Sequence, residues 1–404
     1  NVYTPYDNFV TSTKEIKLYY FLNPSPITSK IISDRSHMTS AGHHGKTFHS
    51  CDIYENNQNH FNTNPIDSKR KIYVNGHSGP WEKKLAYSLF ADYPDDIAIS
   101  YSDKIDQTTT NDVMLIGYHG KIQGDMNKFQ GKKLYYNGEY DINDNKFTGI
   151  GNFPGINDTN SYYIGPTIKE DKRHIQVYYG AFGMFIDMRS NWHWGDNQHL
   201  RLTALRIPDI TKKSKFLTYT QMHCVPHRDN AFNEIIKYIN KLSSQSIIEA
   251  NGECHGNNND NKKLIKLKYG EWATNGIPEN NEFRFTLSME NRIAPGYITE
   301  KLINAFSSNT IPIYWGTKEV FDVFNKNAFI YYDIKNPQPA LEKIAEIEMN
   351  EKKYYEMMSQ PILAAGALEK YFSLDNDVGN GVLKNRIRDM MGIKYDRLYG
   401  NTGK

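Results

Sequence analysis

Cysteine is scarce in this sequence, and neither sign of charge is in excess. The three cysteines among 404 residues, Cys51, Cys224 and Cys254, are too few and too scattered for a disulfide framework. This fits a reducing compartment, although a single disulfide stays open. Lys and Arg number 48 against 46 Asp and Glu, which gives a formal net charge of +2. Because such a balance creates no global field for nucleic acid or a membrane surface, any attraction for an anionic ligand must be local.

Long apolar runs are missing as well. No stretch approaches the roughly 20 apolar residues that a membrane-spanning helix needs, and residues 1–6 show neither an initiator Met nor a signal-peptide pattern. We therefore expect a cytoplasmic or peripheral-membrane protein, or a protein of the Golgi lumen if an N-terminal anchor has been trimmed. Tyrosine, by contrast, is abundant at 29 residues, which suits stacking on sugars as well as core packing.

Alternating strand and helix patterns predict two α/β domains in series. Residues 1–68 are polar and irregular, and we interpret them as an N-terminal extension. The first α/β domain is expected at 69–205, the second at 206–360, and a basic helical tail at 361–404. Packing of a terminal helix on the first domain is the expected role of this tail, with contact to a membrane surface as the alternative.

The individual elements are predicted from apolar periodicity. Strands are expected at Lys71–Val74, Asp112–Ile116, Lys133–Tyr136, Lys215–Thr220, Phe283–Met289 and Thr310–Trp315, and helices at Glu82–Phe90, His227–Leu242, Tyr297–Phe306 and within Pro339–Met358. Ligands of parallel sheets bind at the carboxyl ends of the strands. Polar residues that follow these strands are therefore the candidate site residues.

The strand at Phe283–Met289 and the segment after it form the most informative window. The strand delivers Glu290 and Asn291 to its carboxyl end, and a helix is expected to open after a Pro-Gly turn. The first turn of that helix is expected to hold the polar residues Tyr297, Thr299, Glu300 and Lys301. Unpaired backbone N–H groups and the helix dipole attract anions at such a point, so a diphosphate is the expected ligand. Taken alone, the Glu-Lys pair fits an ordinary capped helix equally well.

The whole window resembles the α1,3/1,4-fucosyltransferases, glycosyltransferase family 10, which use GDP-fucose. The family pattern of Phe-Glu-Asn-Ser, a short turn, Tyr-Val-Thr-Glu-Lys and Ile-Pro-Ile-Tyr-Trp-Gly is matched at 289–292, 297–301 and 311–316. Upstream, the strand beginning at Lys215 and the run from Arg228 to Phe232 look like the family unit whose Arg contacts the donor phosphates.

A second upstream match and two departures complete the resemblance. The segment that ends in Glu139 resembles the family strand whose terminal Glu is the proposed catalytic base. Arg292 stands where the family has Ser, and Tyr219–Gln221 replaces small polar residues. Both departures could touch the nucleotide or the sugar, so they bear on the identity of the donor.

The resemblance implies the α/β fold of the GT-B type, in which two Rossmann-like domains face a central cleft. The acceptor is then bound by residues 69–205 and the donor by residues 206–360. The implied reaction is an inverting transfer of L-fucose from GDP-fucose to a glycan hydroxyl, commonly the 3-OH of N-acetylglucosamine. The implied roles are base for Glu139, diphosphate binding for Arg228 and Lys301, hydrogen-bond donation for Tyr297, and orientation of ribose or fucose for Asn291 and Glu300.

The resemblance also implies the partners. They are a nucleotide sugar and an oligosaccharide or glycoconjugate acceptor, without nucleic acid. No metal is obligatory, and manganese or magnesium would only stimulate. Three alternatives stay open: a transferase for another nucleotide sugar, an inactive glycan-binding protein, and a glycoside hydrolase, which would need two carboxylates flanking one bond.

Other clusters have ordinary explanations. The group His43, His44, His49 and Cys51 lacks the paired spacing of zinc sites. Asp375 and Asp377 resemble the Asp-x-Asp of metal-dependent transferases, but they follow the donor region and are interpreted as solvated. The cluster Trp192–Trp194 fits sugar stacking or packing, and the glycosylation sequon at Asn157 matters only in a secreted chain.

Overall fold

The structure is a computed structural model. It describes residues 71–76, 85–86, 88–90, 98–101, 108–117, 122, 124–137, 158–166, 170–183, 206, 210–221, 223–242, 247–252, 254, 256, 282–374 and 378–393. These residues belong to two compact units, one built from 71–183 together with 368–393 and the other from 206–367. The predicted extension at 1–68 lies outside the described residues, and the domain limits predicted from the sequence stay predictions.

The first unit contains a six-stranded parallel sheet in the order β2-β1-β3-β4-β5-β6. Its strands are β1 (Lys71–Asn75), β2 (Ala98–Tyr101), β3 (Val113–Gly117), β4 (Lys132–Tyr136), β5 (Ser161–Gly165) and β6 (His174–Gln176), followed by the short helix α1 (Tyr179–Gly183). The predictions of β1, β3 and β4 are confirmed. The chain adds β2 on one side of β1 and β3 on the other, so the strand order reverses between β1 and β3.

Apolar sequence explains why these strands lie at the centre. Every residue of β3, Val-Met-Leu-Ile-Gly, is buried, as expected for a parallel strand covered on both faces. Residues 85, 86 and 88–90 are helical, in agreement with the helix predicted to end at Phe90. Gly76 follows β1 with a φ of +83°, and a Cβ there would lie 2.3 Å from the carbonyl oxygen of Gly117. The ends of β1 and β3 can therefore approach closely because residue 76 is a glycine.

The second unit contains a five-stranded parallel sheet in the order β11-β10-β9-β7-β8. Its strands are β7 (Lys215–Gln221), β8 (Ile248–Gly252), β9 (Phe283–Met289), β10 (Ile311–Trp315) and β11 (Ile330–Tyr331). Its helices are α2 (Pro226–Asn240), α3 (Glu300–Ser307), α4 (Val320–Val323), α5 (Gln338–Glu348) and α6 (Glu351–Met358). The predictions of β7, β9, β10 and α2 are confirmed within one to two residues at each end.

Two helix boundaries differ from the prediction because of capping residues. α3 begins at Glu300 rather than at Tyr297, since Thr299 has an extended backbone and its side chain accepts a hydrogen bond from the N–H of Lys301. Tyr297 therefore lies in the turn before the helix. The single helical stretch predicted up to Met358 is two helices, because the Asn350 side chain accepts from the N–H of Lys353 and starts α6.

The C-terminal helix α7 (Val382–Met390) packs in the first unit, as predicted. Arg388 is buried and donates through Nε to the carbonyl oxygen of Leu89 at 2.5 Å. Arg386 pairs with Glu170 at 2.7 Å. Membrane contact through the basic tail stays a prediction. Among the described residues, no helix combines the length and the apolar composition needed to cross a bilayer.

A disulfide joins Cys224 to Cys254 across 30 residues of sequence. It connects the segment between β7 and α2 to Cys254, two residues after the end of β8, and Cys254 also donates its backbone N–H to the carbonyl oxygen of Gln221 at 3.3 Å. The single disulfide that the sequence left open is thus present, and the compartment of the protein stays a prediction. The connection holds the approach to α2 against the edge of the sheet.

Replacing both of these cysteines by serine is expected to lower the free energy of unfolding by roughly 3–4 kcal/mol, because a loop of this length is constrained in the unfolded chain. Urea denaturation of the oxidised protein and of the C224S/C254S variant measures the difference. Cys51→Ser serves as the control and is expected to leave the curve unchanged. If the reduced wild type were as stable as the oxidised protein, this account of the disulfide would be wrong.

Candidate active site

The strand order of the second sheet predicts where a ligand binds. The chain runs from β7 to β8 on one side and then returns to place β9, β10 and β11 on the other side of β7. Crevices at the carboxyl ends of parallel strands open where the order reverses in this way. The reversal falls between β7 and β9, and the segments that follow these two strands carry all of the predicted donor-binding residues.

Arg228 lies in the first turn of α2, and its side chain is buried. Its Nε donates to the carbonyl oxygen of Glu290 at 3.3 Å, and its Nη1 donates to that of His223 at 3.1 Å. Nη2 is buried without a hydrogen-bond partner among the described residues. Burial lowers the pKa of the guanidinium, and the charge of Glu290 is the strongest opposing influence. A buried cation with an unused donor is costly unless an anion joins it.

Glu290 is fully buried at the end of β9. Its carboxylate accepts from the backbone N–H of Thr299 at 2.8 Å, from the Thr299 hydroxyl at 2.8 and 3.0 Å, and from the Tyr314 hydroxyl at 3.3 Å. Burial raises the pKa of this carboxyl, and the positive charge of Lys301 lowers it in part. The sequence motif contained Glu290, but the pattern assigned it no role, because nothing in a linear motif shows which of two glutamates is buried.

Lys301, at the start of α3, contacts Glu290 and its neighbours through its side-chain ammonium group. Its Nζ lies 3.1 Å from Thr299 Oγ1, 3.4 Å from Glu300 Oε1 and 3.5 Å from Glu290 Oε2. Glu300 is buried rather than exposed, with 6% of its surface accessible. The alternative of an ordinary capped helix with an exposed Glu and Lys is therefore wrong for Glu300, and the cation is held between two carboxylates.

The remaining predicted donor residues lie in the same segment. Asn291 follows Glu290, and its Oδ1 is buried without a hydrogen-bond partner among the described residues. Tyr297 is buried in the turn before α3, where Gly296 has a φ of +69°. The structure thus brings Arg228, Asn291, Tyr297, Glu300 and Lys301 to one edge of one sheet.

His227 is a site residue that the motif did not indicate. Its Nε2 lies 2.9 Å from the carbonyl oxygen of Glu290, and its ring packs on Trp315 with centroids 4.2 Å apart. Burial is the largest effect on its pKa, which is lowered from 6.5. The neutral ring therefore donates through Nε2 at neutral pH. Its position beside Arg228 in the first turn of α2 was the available signal.

Other sequence expectations have different outcomes. The side chain of Tyr219 is buried in the core, where its hydroxyl donates to Asp229 at 3.0 Å, so it does not face a ligand. Glu139 lies outside the described residues. The histidine and cysteine cluster at 43–51, the cluster at 192–194, the sequon at Asn157 and the carboxylates at 375 and 377 also lie outside them. Within the described part of the chain, no group of three or more His, Cys, Asp or Glu side chains is arranged to hold a metal ion.

Comparisons with known proteins find similarity in the segment that carries these residues. Residues 210–359 match the model of the glycosyltransferase family 10 (fucosyltransferase) C-terminal domain. The chain is 38% identical over 79 residues to alpha-(1,3)-fucosyltransferase FucT of Helicobacter pylori, covering 19% of this chain and 16% of that protein. It is 31% identical over 172 residues to 4-galactosyl-N-acetylglucosaminide 3-alpha-L-fucosyltransferase 9 of Mus musculus, covering 39% of this chain and 45% of that protein.

A solved structure supports the fold over a larger part of the chain. The crystal structure of an alpha1,3-fucosyltransferase with GDP is matched with a TM-score of 0.51 at 18% identity, covering 83% of this chain and 94% of that one. The predicted fold class, two Rossmann-like α/β units of the GT-B type, is confirmed.

Residues 210–359 thus match the fucosyltransferase domain of glycosyltransferase family 10, and the resemblance predicted from the motifs is confirmed over this segment. The matched segments span less than half the length of the curated relatives.

The lowered pKa of His227 predicts a pH dependence of stability. The unfolded state takes up a proton near pH 6.5 while the folded state resists it, so this contribution is intact above that pH and is lost as the pH falls. His227→Gln keeps an N–H donor for the Glu290 carbonyl and removes the titration. Between about pH 7.5 and about pH 5, urea denaturation should show a smaller loss of stability for this variant than for the wild type. Parallel pH profiles would contradict the assignment.

Proposed function

We propose that the protein is an inverting glycosyltransferase that transfers L-fucose from GDP-fucose to a glycan hydroxyl, the 3-OH of N-acetylglucosamine being the expected acceptor. The observation that carries this proposal is the buried Arg228, whose Nη2 lacks a described partner at the point where the second sheet reverses its strand order. A nucleoside diphosphate supplies the anion that such a guanidinium needs. Lys301 and the N-terminus of α3 follow β9, and they lie at the same edge of the second sheet as Arg228.

The proposed roles of the side chains follow from the atoms that gain or lose charge during the transfer. The oxygen of the acceptor hydroxyl attacks the anomeric carbon of fucose, and the bond from that carbon to the β-phosphate oxygen breaks. The hydroxyl proton passes to Glu139, which acts as the base. The departing GDP gains negative charge, which Arg228 and Lys301 stabilise through donors that are already in place. In this proposal Asn291 and Glu300 orient the ribose or the fucose, and Tyr297 donates a further hydrogen bond.

The comparisons support the donor. The matched crystal structure is that of an α1,3-fucosyltransferase with GDP, and both curated relatives named above are α1,3-fucosyltransferases. The partners are then a nucleotide sugar and an oligosaccharide or glycoconjugate. No metal is required in this scheme, because hydrogen-bond donors of two side-chain cations and a helix N-terminus bind the diphosphate, with manganese or magnesium as stimulators.

The disulfide supports a proposal on location. Cys224 and Cys254 stay paired in an oxidising compartment. Among the cytoplasmic, peripheral-membrane and Golgi-lumen locations expected from the sequence, we favour the lumenal one.

Calorimetric titration of the chain with GDP, GDP-fucose, GDP-mannose and UDP-sugars, without metal and then with manganese, tests the donor. We expect GDP and GDP-fucose to bind selectively and without metal, because the cations of the site belong to the protein. Preference for a UDP-sugar would keep the fold and contradict the fucosyl assignment. Absence of binding to every nucleotide would favour a glycan-binding protein without catalysis.

Two substitutions test the assigned roles. Glu139→Ala should lower kcat by about a hundred- to ten-thousand-fold with GDP affinity nearly intact, since a base acts only on the acceptor. Lys301→Ala should raise the Kd for GDP about ten- to a hundredfold, since it removes a charge-assisted contact to the diphosphate. Transfer assays and GDP calorimetry give both quantities. Lys343→Ala, which removes an exposed lysine paired with Glu346 at 2.8 Å, is the matched control. The reverse pattern would overturn the assignment.

A further inference from the structure

Glu290 contacts the residues of the proposed donor site on both α2 and the N-terminus of α3. Its side chain accepts from the backbone N–H and the hydroxyl of Thr299, the N-cap of α3, and its Oε2 lies 3.5 Å from Lys301 Nζ. Its main-chain carbonyl oxygen accepts from Nε of Arg228 and contacts Nε2 of His227, both in the first turn of α2. One residue at the end of β9 therefore contacts the cations on both helices.

The space around Glu290 is shaped to hold it in this position. Gly316 follows β10 beside it, and a Cβ at that position would lie 2.3 Å from the Tyr314 hydroxyl and 3.0 Å from Glu290 Cγ. The N–H of Glu290 also donates to the carbonyl oxygen of Trp315 at 2.8 Å. Backbone and side chain are thus both fixed, which is the condition for a side chain that orients another group.

The charge of Glu290 is the wrong one for direct contact with a diphosphate. A buried carboxylate repels an anionic ligand, and no contact of its own with the donor would help binding. Its benefit can come only through the groups that it holds. The flexible four-carbon side chain of Lys301 needs restraint, and Thr299 and Glu290 provide it through their contacts with Nζ.

We propose that Glu290 is a positioning residue, which holds Lys301 and the N-cap of α3 in the geometry that receives the diphosphate of the donor. This inference rests on the proposed function. The direction of the change in affinity is informative. If Glu290 acts by positioning Lys301, removing its negative charge should weaken the binding of the anionic diphosphate. A purely electrostatic effect of the same substitution would strengthen it.

Glu290→Gln is the variant that separates these effects. The amide has the same shape, can still accept from the N–H of Thr299 through its oxygen, and can donate to the Thr299 hydroxyl, but its nitrogen cannot accept from Lys301. We expect the Kd for GDP, measured by calorimetry, to rise about tenfold, as for a lost contact to a charged group. In a double-mutant cycle, E290Q/K301A should bind GDP no more weakly than K301A alone, within about twofold, because Glu290 acts through Lys301.

Glu348→Gln is the matched control. Glu348 is a partly buried carboxylate of the same unit at the C-terminal end of α5, and it pairs at 2.7 Å with Arg284 near the start of β9. This variant loses a partly buried ion pair away from the site, so GDP affinity should stay at the wild-type value even where the thermal midpoint falls. A drop in affinity shared by E348Q would show general destabilisation and overturn the inference.

The outcomes separate this inference from the proposed function. If the wild type binds GDP and E290Q binds it equally or more tightly, Glu290 is not a positioning residue while the donor assignment stands. Additive losses in E290Q/K301A would also overturn the inference, because Glu290 would then act independently of Lys301. If the wild type fails to bind GDP, both the proposed function and the inference are overturned.

Discussion

β7 and β9 lie side by side and run in the same direction, with Leu217 opposite Phe285, and the proposed donor site depends on this pairing. Because parallel strands end at the same edge, the segments that follow them meet there. Arg228 arrives on the helix after β7, and Lys301 arrives on the helix after β9. Both cations then contact Glu290, one at its carbonyl oxygen and the other at its carboxylate.

Charge at this edge is balanced rather than positive. The cations Arg228 and Lys301 stand against the carboxylates Glu290 and Glu300, and three of these four residues are at least nine-tenths buried. Burying cations without partners would cost several kcal/mol each, so the carboxylates stabilise the ligand-free protein. A diphosphate is then recognised by donors in fixed positions, rather than by a local excess of charge. Pre-arranged donors of this kind lose little on reorganisation when negative charge develops.

Much of the second sheet could be predicted because its local patterns are strong. β9 was predicted with the observed bounds, and the apolar face of α2 has the expected helical spacing. β8 was missed because Ile-Glu-Ala-Asn-Gly lacks an apolar run, which an edge strand paired only to β7 does not need. The start of α3 was placed too early because Tyr297 and Ile298 continue the apolar pattern, whereas the Thr299 side chain caps the helix after them.

The sequence by itself determined the local properties of this protein: the apolar runs that become strands, the amphipathic face of α2, and a motif that resembles that of the fucosyltransferases. Only the tertiary structure decided that Glu290 is the central buried carboxylate, that His227 joins the site, and that Cys224 pairs with Cys254. The physical reason is range. Propensity, periodicity and capping act between residues close in the chain, whereas burial, ion pairing and disulfide formation depend on which distant segments the pairing of β7 with β9 brings together.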